Sequence, residues 1–189
     1  IFVPAEPEDA LILGTDKREG LAIYSLSGEL RQMLPVGRLN NVDLLTEVPM
    51  GDRRGVLVAA SNRSRNSIAF FTLDDGTVRH LGDAATSLHE VYGLCMYASA
   101  SGTYVFINDT DGRYQQYRVA WNENKLAATR VREFRLPSQP EGCVADRETQ
   151  QVFMGEEAAG IWMAGAEPDG HAPRMVIGTS DALVADVEG

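Results

Sequence analysis

The chain is 189 residues long and carries a net charge of −10, from 27 acidic and 17 basic residues. This balance excludes a nucleic-acid-binding surface, because a phosphate backbone requires a basic face, and it favours cation binding or solubility. No run of residues has the character of a transmembrane helix or a signal peptide, so we expect no membrane insertion.

Short apolar strands recur along the chain, and each of them ends at a polar residue. In chain order these segments are residues 11–17, 57–63, 104–110 and 152–157. The polar residues that close them are Lys17, Arg63, Thr110 and Glu157, separated by 46, 47 and 47 positions. A period of this length is typical of repeat architectures.

Further strands complete each repeat. After each polar residue comes a turn and a second strand of alternating or aromatic residues, at 21–26, 67–73, 113–119 and 160–163. A third strand follows in most repeats, for example at 30–36 and 129–136. Period-two alternation with β-branched and aromatic residues indicates strands. Arg130, Arg132 and Arg135 alternate with apolar residues, which suits an exposed outer strand.

A second series of polar positions runs in step with the first, and each member opens or precedes a strand. Its members are Asn41, Tyr92, Glu141 and Glu188, separated by 51, 49 and 47 positions. Four strands in roughly 40 to 50 residues is the size of a β-propeller blade. The sequence therefore predicts an all-β fold, a β-propeller of four-stranded blades, with both polar series lining one channel mouth. We expect one domain, residues 1–189, holding about four blades and truncated at both ends.

The cysteines and histidines give no catalytic signature. Cys95 and Cys143 fall in equivalent inner strands of neighbouring repeats, where buried free thiols are the favoured interpretation. A disulfide stays open, since it needs Cα atoms within about 7 Å. His80, His89 and His171 lack a neighbouring nucleophile and are expected at the surface.

The two polar series combine cations with carboxylates. Lys17 and Arg63 suit a phosphate or carboxylate ligand. Four acidic residues accompany them, namely Glu141, Glu157, Asp186 and Glu188. Asp186 and Glu188 would share one side of a strand, and clustered carboxylates suit a hard cation such as calcium. A metal-bridged anion site is one interpretation, and charged blade ends that are simply solvated are the other.

Eight motifs, in order and over essentially the whole chain, resemble the β-propeller phytases, the alkaline calcium-dependent 3-phytases. They lie at 15–26, 39–43, 59–64, 90–93, 141–146, 155–157, 166–170 and 186–189. The resemblance implies a six-bladed propeller in the full protein. It also implies a secreted or periplasmic phosphomonoesterase that hydrolyses the calcium complex of myo-inositol hexakisphosphate (phytate). Several calcium ions would activate the attacking water and neutralise charge, and the complete protein would be a monomer.

The resemblance also assigns roles to individual residues. Lys17 and Arg63 would hold the phosphate to be cleaved, Tyr92 would hydrogen-bond to it, and Arg18 would contact a second phosphate. The residues Glu141, Glu157, Asp186 and Glu188 would bind calcium, with Glu141 also counted among the catalytic group.

Thr110 departs from the family pattern, because it stands where better-known members carry a phosphate-binding lysine, and Asp109 and Asp111 add negative charge beside it. The family's calcium ligands before Ile1 and in the last two blades are also expected to be missing, so the chain alone is expected to be inactive. The alternative is a truncated, non-catalytic propeller module that binds phosphate or calcium and assists another domain.

Overall fold

The computed structural model describes residues 1–4, 6–122, 125–179 and 183–187, and it arranges them in four antiparallel sheets. The first sheet contains β1 (Leu11–Asp16), β2 (Gly20–Ser25) and β3 (Leu30–Leu34). The second contains β4 (Leu39–Met50), β5 (Arg53–Asn62), β6 (Ser67–Asp74) and β7 (Thr77–Ala85). The third contains β8 (Val91–Ser99), β9 (Gly102–Asp109), β10 (Arg113–Asn122) and β11 (Lys125–Arg135). The fourth contains β12 (Pro140–Asp146), β13 (Gln151–Glu156), β14 (Gly160–Gly165) and β15 (Arg174–Gly178). A short 3-10 turn at Pro7–Asp9 precedes β1.

Each sheet is a blade whose strands pair in chain order. The inner strands β4, β8 and β12 contact one another across neighbouring blades. In the first blade β1 is equivalent to β5, and Phe2 forms a single bridge to Leu11 on its inner side. This arrangement confirms the predicted all-β propeller of four-stranded blades.

The hydrophobic core lies between successive blades. Leu21 and Ile23 of the first blade pack with Val58 of the second. Similar apolar layers join the second blade to the third and the third to the fourth. Because both faces of the second blade are covered, its central strand β6 is almost wholly buried.

Both polar series lie where they were predicted, as far as the described residues reach. The strands β1, β5, β9 and β13 end at Asp16, Asn62, Asp109 and Glu156, one residue before each member of the first series. Asn41, Tyr92 and Glu141 lie at the second or third residue of an inner strand. Antiparallel pairing brings these strand ends to one face, which we call the channel mouth. Glu188 lies outside the described residues.

The expectation of free thiols is wrong. Cys95 on β8 and Cys143 on β12 form a disulfide, with Cα atoms 5.5 Å apart. Sequence spacing located both residues on inner strands, but it gave no measure of how closely neighbouring inner strands approach. Gly93 shows that closeness, because a Cβ atom there would overlap the carbonyl oxygen of Glu141.

A third series of polar residues, missed from the sequence, ties the blades together at the channel mouth. Thr15, Ser61 and Asn108 lie two residues before members of the first series, and their side chains reach the next inner strand. They donate hydrogen bonds to the carbonyl oxygens of Asn40 (2.6 Å), Tyr92 (2.6 Å) and Glu141 (3.0 Å). At the fourth position stands Gly155, where a Cβ atom would lie 2.8 Å from the carbonyl oxygen of Val187.

Replacing Ser61 with alanine should lower the free energy of unfolding by about 2 kcal/mol, because two buried backbone groups lose their partner. The hydroxyl of Ser61 is fully buried, donates to Tyr92 and accepts the N–H of Asn41 at 3.0 Å. Urea denaturation measures the change. Ser27→Ala is the control, because within the described residues its exposed hydroxyl forms a hydrogen bond with that of Ser25 alone. Equal losses in both variants would contradict the prediction.

Candidate active site

Equivalent turns present the first polar series at the channel mouth. Lys17, Arg63, Thr110 and Glu157 are each the first residue after a strand. The backbone N–H groups of Arg63, Thr110 and Glu157 donate hydrogen bonds to backbone carbonyl oxygens. The accepting residues lie just before the inner strand of the same blade and are Arg38 (2.8 Å), Glu90 (3.2 Å) and Gln139 (3.0 Å), respectively. The backbone therefore fixes where each of these side chains starts.

The first of these turns carries two exposed cations. Asp16 Oδ1 accepts the backbone N–H groups of Arg18 at 2.7 Å and Glu19 at 3.0 Å. These two hydrogen bonds lower the pKa of Asp16, so its carboxylate is ionised and holds the turn. The side chains of Lys17 and Arg18 are exposed, and within the described ranges no carboxylate forms an ion pair with Lys17.

Arg63 and Tyr92 lie in contact. The guanidinium carbon of Arg63 is 5.3 Å from the centroid of the Tyr92 ring, within cation–π range. The same guanidinium donates from Nη2 to Oε1 of Glu90 at 2.8 Å. The side chain of Arg63 is 27% exposed, so a ligand can still reach its other N–H groups.

Two carboxylates act on the hydroxyl of Tyr92. Burial raises the pKa of Tyr92, and the negative charges of Glu141 and Glu157 raise it further, while the positive charge of Arg63 opposes them. The phenol therefore stays protonated at neutral and moderately alkaline pH and can donate a hydrogen bond. The same interactions mean that Arg63, Tyr92, Glu141 and Glu157 share one electrostatic environment.

Asn40 from the second blade reaches Glu141. Asn40 Nδ2 donates to Glu141 Oε1 at 3.2 Å and to Asn41 Oδ1 at 2.7 Å. Asn40 is buried, and its Oδ1 has no hydrogen-bond partner within the described chain. Asn41 and Glu141 line a cavity of about 350 Å³ between β4, β8 and β12. Side-chain oxygen atoms from β4 and β12 therefore line one space, which Leu94 of β8 also borders.

Glu157 and Asp186 are joined through the backbone. The N–H of Asp186 donates to the carbonyl oxygen of Glu157 at 2.7 Å, and Gln139 Nε2 donates to the Glu157 carboxylate at 2.7 Å. The expected strand at Asp186 is wrong, because this exposed residue lies in a bend with a φ of 76°. The pairing of Asp186 with Glu188 lies outside the described residues. Within those residues, no three acidic, histidine or cysteine side chains cluster closely enough to hold a metal.

The negative charges expected beside Thr110 are offset by arginines. Asp109 is buried and pairs with Arg113 at 2.9 Å, and Asp111 pairs with Arg113 at 3.0 Å and Arg135 at 3.4 Å. Thr110 Oγ1 lies 3.5 Å from both Glu90 Oε2 and Asp109 Oδ1. Glu90 is therefore a second acidic neighbour of this position.

Three acidic side chains near the channel mouth were not proposed from the sequence. The carboxylate of Asp43 accepts the N–H groups of Met96 (2.8 Å) and Leu44 (2.7 Å), and burial raises its pKa. Glu156, which is buried, accepts from Ser138 and from Trp162 Nε1. Glu90 pairs with Arg63. Of these three residues, only Glu90 could have been proposed from the sequence, because it directly precedes an inner strand, as Arg38 and Gln139 do.

Residues 1–189 match the Phytase family over their whole length. The chain belongs to the phytase family. It is 35% identical to the 3-phytase of Bacillus subtilis (strain 168) over 196 aligned positions, which cover 97% of this chain and 51% of that protein. The chain therefore spans about half the length of this relative.

Solved structures support the fold independently of sequence. A functionally unknown protein from Desulfotomaculum acetoxidans superposes with a TM-score of 0.67 at 11% identity, over 94% of this chain and 54% of that one. The six-bladed β-propeller lectin of Aleuria aurantia gives a TM-score of 0.60 at 12% identity, over 90% and 57% of the two chains. At these identities the likeness concerns the propeller fold alone. None of the described elements is a helix long and apolar enough to cross a bilayer.

Proposed function

We propose that this phytase-family chain forms the phosphate-binding half of a calcium-dependent phosphomonoesterase that hydrolyses phytate. The observation that carries the proposal is the contact of Arg63 with Tyr92, beside the carboxylates of Glu141 and Glu157. A site with cationic donors on one side and carboxylates on the other suits a phosphate ester bound together with a cation. The half-length match to the Bacillus enzyme supports the same reaction class.

Each donor has a distinct task in binding the phosphate. Arg63 offers a planar group of N–H donors that matches two phosphate oxygens. Tyr92 stays protonated and donates a third hydrogen bond. Lys17, which has no ion-pair partner in the described residues, supplies a positive charge from the neighbouring blade, and Arg18 beside it reaches a second phosphate of the same substrate.

The oxygen atoms at the channel mouth suit a hard cation by their chemistry, although no three of the described acidic side chains are close enough to hold one by themselves. Calcium takes six to eight oxygens from carboxylates, amides, carbonyl groups and water. Glu141, Glu157, Asp186 and Glu188 are the proposed ligands, and phosphate oxygens of the substrate and water would complete the coordination. Asn40 Oδ1, which has no hydrogen-bond partner within the described residues, is an additional buried amide oxygen at Glu141. When bound, calcium would activate water and offset the charge of the phosphate oxygens.

The disulfide supports a proposed location. A disulfide persists in oxidising compartments and is rare in the cytosol, so Cys95–Cys143 supports the proposal that the protein is secreted or periplasmic. Its substrate is a small molecule, the calcium complex of an inositol phosphate.

Phosphate release from calcium phytate tests this function. The protein expressed from its whole gene should release phosphate, and a chelator should reduce the rate by at least about tenfold, since the carboxylates alone repel the substrate. Residues 1–189 alone should release none. Release by neither protein would instead favour a non-catalytic module, and release that survives chelation would contradict the role of calcium.

A further inference from the structure

Arg63 is held by a residue to which the proposed reaction gives no role. Glu90 Oε1 accepts from Arg63 Nη2 at 2.8 Å, while Tyr92 packs against the guanidinium at 5.3 Å. The carboxylate and the aromatic ring together fix both the plane and the rotation of the guanidinium. An arginine side chain without such partners loses rotamer freedom only when it binds a ligand.

The backbone around Glu90 is anchored both from its own blade, the third, and from the second blade. Asp109 accepts the N–H groups of His89 (2.7 Å) and Glu90 (3.2 Å). From the second blade, Asn66 donates to the carbonyl of His89 (2.6 Å) and accepts the N–H of Val91 (3.2 Å). The side chain of Glu90 therefore projects from a rigid segment and can be replaced without releasing the strand.

A contribution to folding stability does not explain the ion pair between Arg63 and Glu90. The side chain of Glu90 is 55% exposed, and exposed ion pairs contribute little to folding because water screens them. The second carboxylate oxygen lies 3.5 Å from Thr110 Oγ1. Glu90 thus contacts both Arg63 of the second blade and Thr110 of the third. A residue in this location can orient an arginine that binds an anion.

We propose that Glu90 is a positioning residue that holds the guanidinium of Arg63 in the orientation that binds phosphate. The inference rests on the proposed function of Arg63. A fixed guanidinium binds phosphate with less loss of rotamer freedom, so Glu90 improves binding although its own charge is negative. The one hydrogen bond to Nη2 leaves the remaining N–H donors of Arg63 for the ligand.

Two variants of the full protein distinguish the effect of Glu90 on the orientation of Arg63 from the effect of its negative charge. In Glu90→Ala the guanidinium loses its acceptor, and we expect the KM for calcium phytate to rise about fivefold while kcat changes less than about twofold. In Glu90→Gln the amide oxygen still accepts from Arg63, and KM should return to within about twofold of the wild-type value. If both variants bind substrate more tightly than wild type, Glu90 acts only as a repelling charge and the proposal falls.

A matched control removes an ion pair far from the channel mouth. Glu29 pairs with Arg31 at 3.2 Å and is 63% exposed, close to the exposure of Glu90. Glu29→Ala should leave KM unchanged. A rise in KM equal to that of Glu90→Ala would assign the effect to general surface charge and overturn the proposal.

Binding of inorganic phosphate gives a readout that needs no turnover. Calorimetric titration should show a Kd about fivefold higher in Glu90→Ala and restored in Glu90→Gln. If wild type binds phosphate with this pattern but releases none from phytate, the proposed reaction fails while the role of Glu90 stands. If Glu90→Ala binds phosphate as well as wild type does, the role of Glu90 fails whatever the reaction.

Discussion

Replacing Arg63 with alanine is expected to lower kcat/KM for calcium phytate by about 100-fold, equivalent to about 2.7 kcal/mol of transition-state stabilisation. Arg63 supplies charge-assisted hydrogen bonds to the phosphate, and Tyr92 and Glu90 fix its plane in advance. Its loss also leaves the negative charge of Glu90 beside the phosphate without a counter-ion.

Arg63→Lys distinguishes geometry from charge. A lysine keeps the positive charge but has neither the planar donors nor the contact of a guanidinium with the Tyr92 ring, so we expect an intermediate loss of about tenfold. Initial rates of phosphate release at several substrate concentrations give both values. A lysine variant as active as wild type would mean that Arg63 acts only as a point charge.

The control for both substitutions lies on the same strand. Arg53 begins β5, whereas Arg63 follows its other end, and Arg53 forms two hydrogen bonds with Asp74 at 2.7 and 3.1 Å. Arg53→Ala removes an arginine and an ion pair from the same blade, but away from the channel mouth. It should leave kcat/KM within about twofold of wild type.

The blade repeat could be predicted from the sequence because it depends on local residue patterns. A polar residue that closes an apolar strand lies at a blade end whatever surrounds it, so Lys17, Arg63 and Thr110 were located to within one residue of the strand ends. The same reasoning placed Tyr92 and Glu141 at the start of inner strands. Their shared face then followed from antiparallel pairing alone.

Side-chain contacts between blades could not be predicted from the sequence in the same way. The partner of Arg63 is Glu90, 27 residues away, and Asn40 meets Glu141 across 101 residues. No strand period encodes such pairs, since they depend on how closely neighbouring inner strands pack. The series of Thr15, Ser61 and Asn108 did repeat at 46 and 47 residues, but only the structure showed what these side chains bind.

Breaking the Cys95–Cys143 disulfide is expected to lower the free energy of unfolding by about 4 kcal/mol, because the bond closes a long loop in the unfolded chain. The two cysteines are 48 residues apart in sequence. For a chain of this size, such a loss corresponds to a fall in Tm of roughly 8 to 16 °C. Urea denaturation of the wild-type protein with and without a thiol reductant measures it.

The double variant Cys95→Ala, Cys143→Ala controls for other effects of the reductant. Its unfolding midpoint should be low and should not change on reduction. If the reductant leaves the wild-type midpoint unchanged and thiol titration finds two reactive cysteines, the bond does not form in solution.

Reduction should also weaken substrate binding before the protein unfolds. The disulfide joins β8 to β12, and it lies three residues after Tyr92 and two residues after Glu141 on these strands. It therefore fixes the register of the strand that carries a phosphate donor against the strand that carries a proposed cation ligand. Without it, the Asn108 hydrogen bonds to Gly93 and Glu141 and the apolar packing between the two blades hold this register. We expect KM to rise about threefold on reduction at temperatures well below the reduced Tm, with no change in the double variant. An unchanged KM in the reduced, folded protein would show that these polar contacts are sufficient.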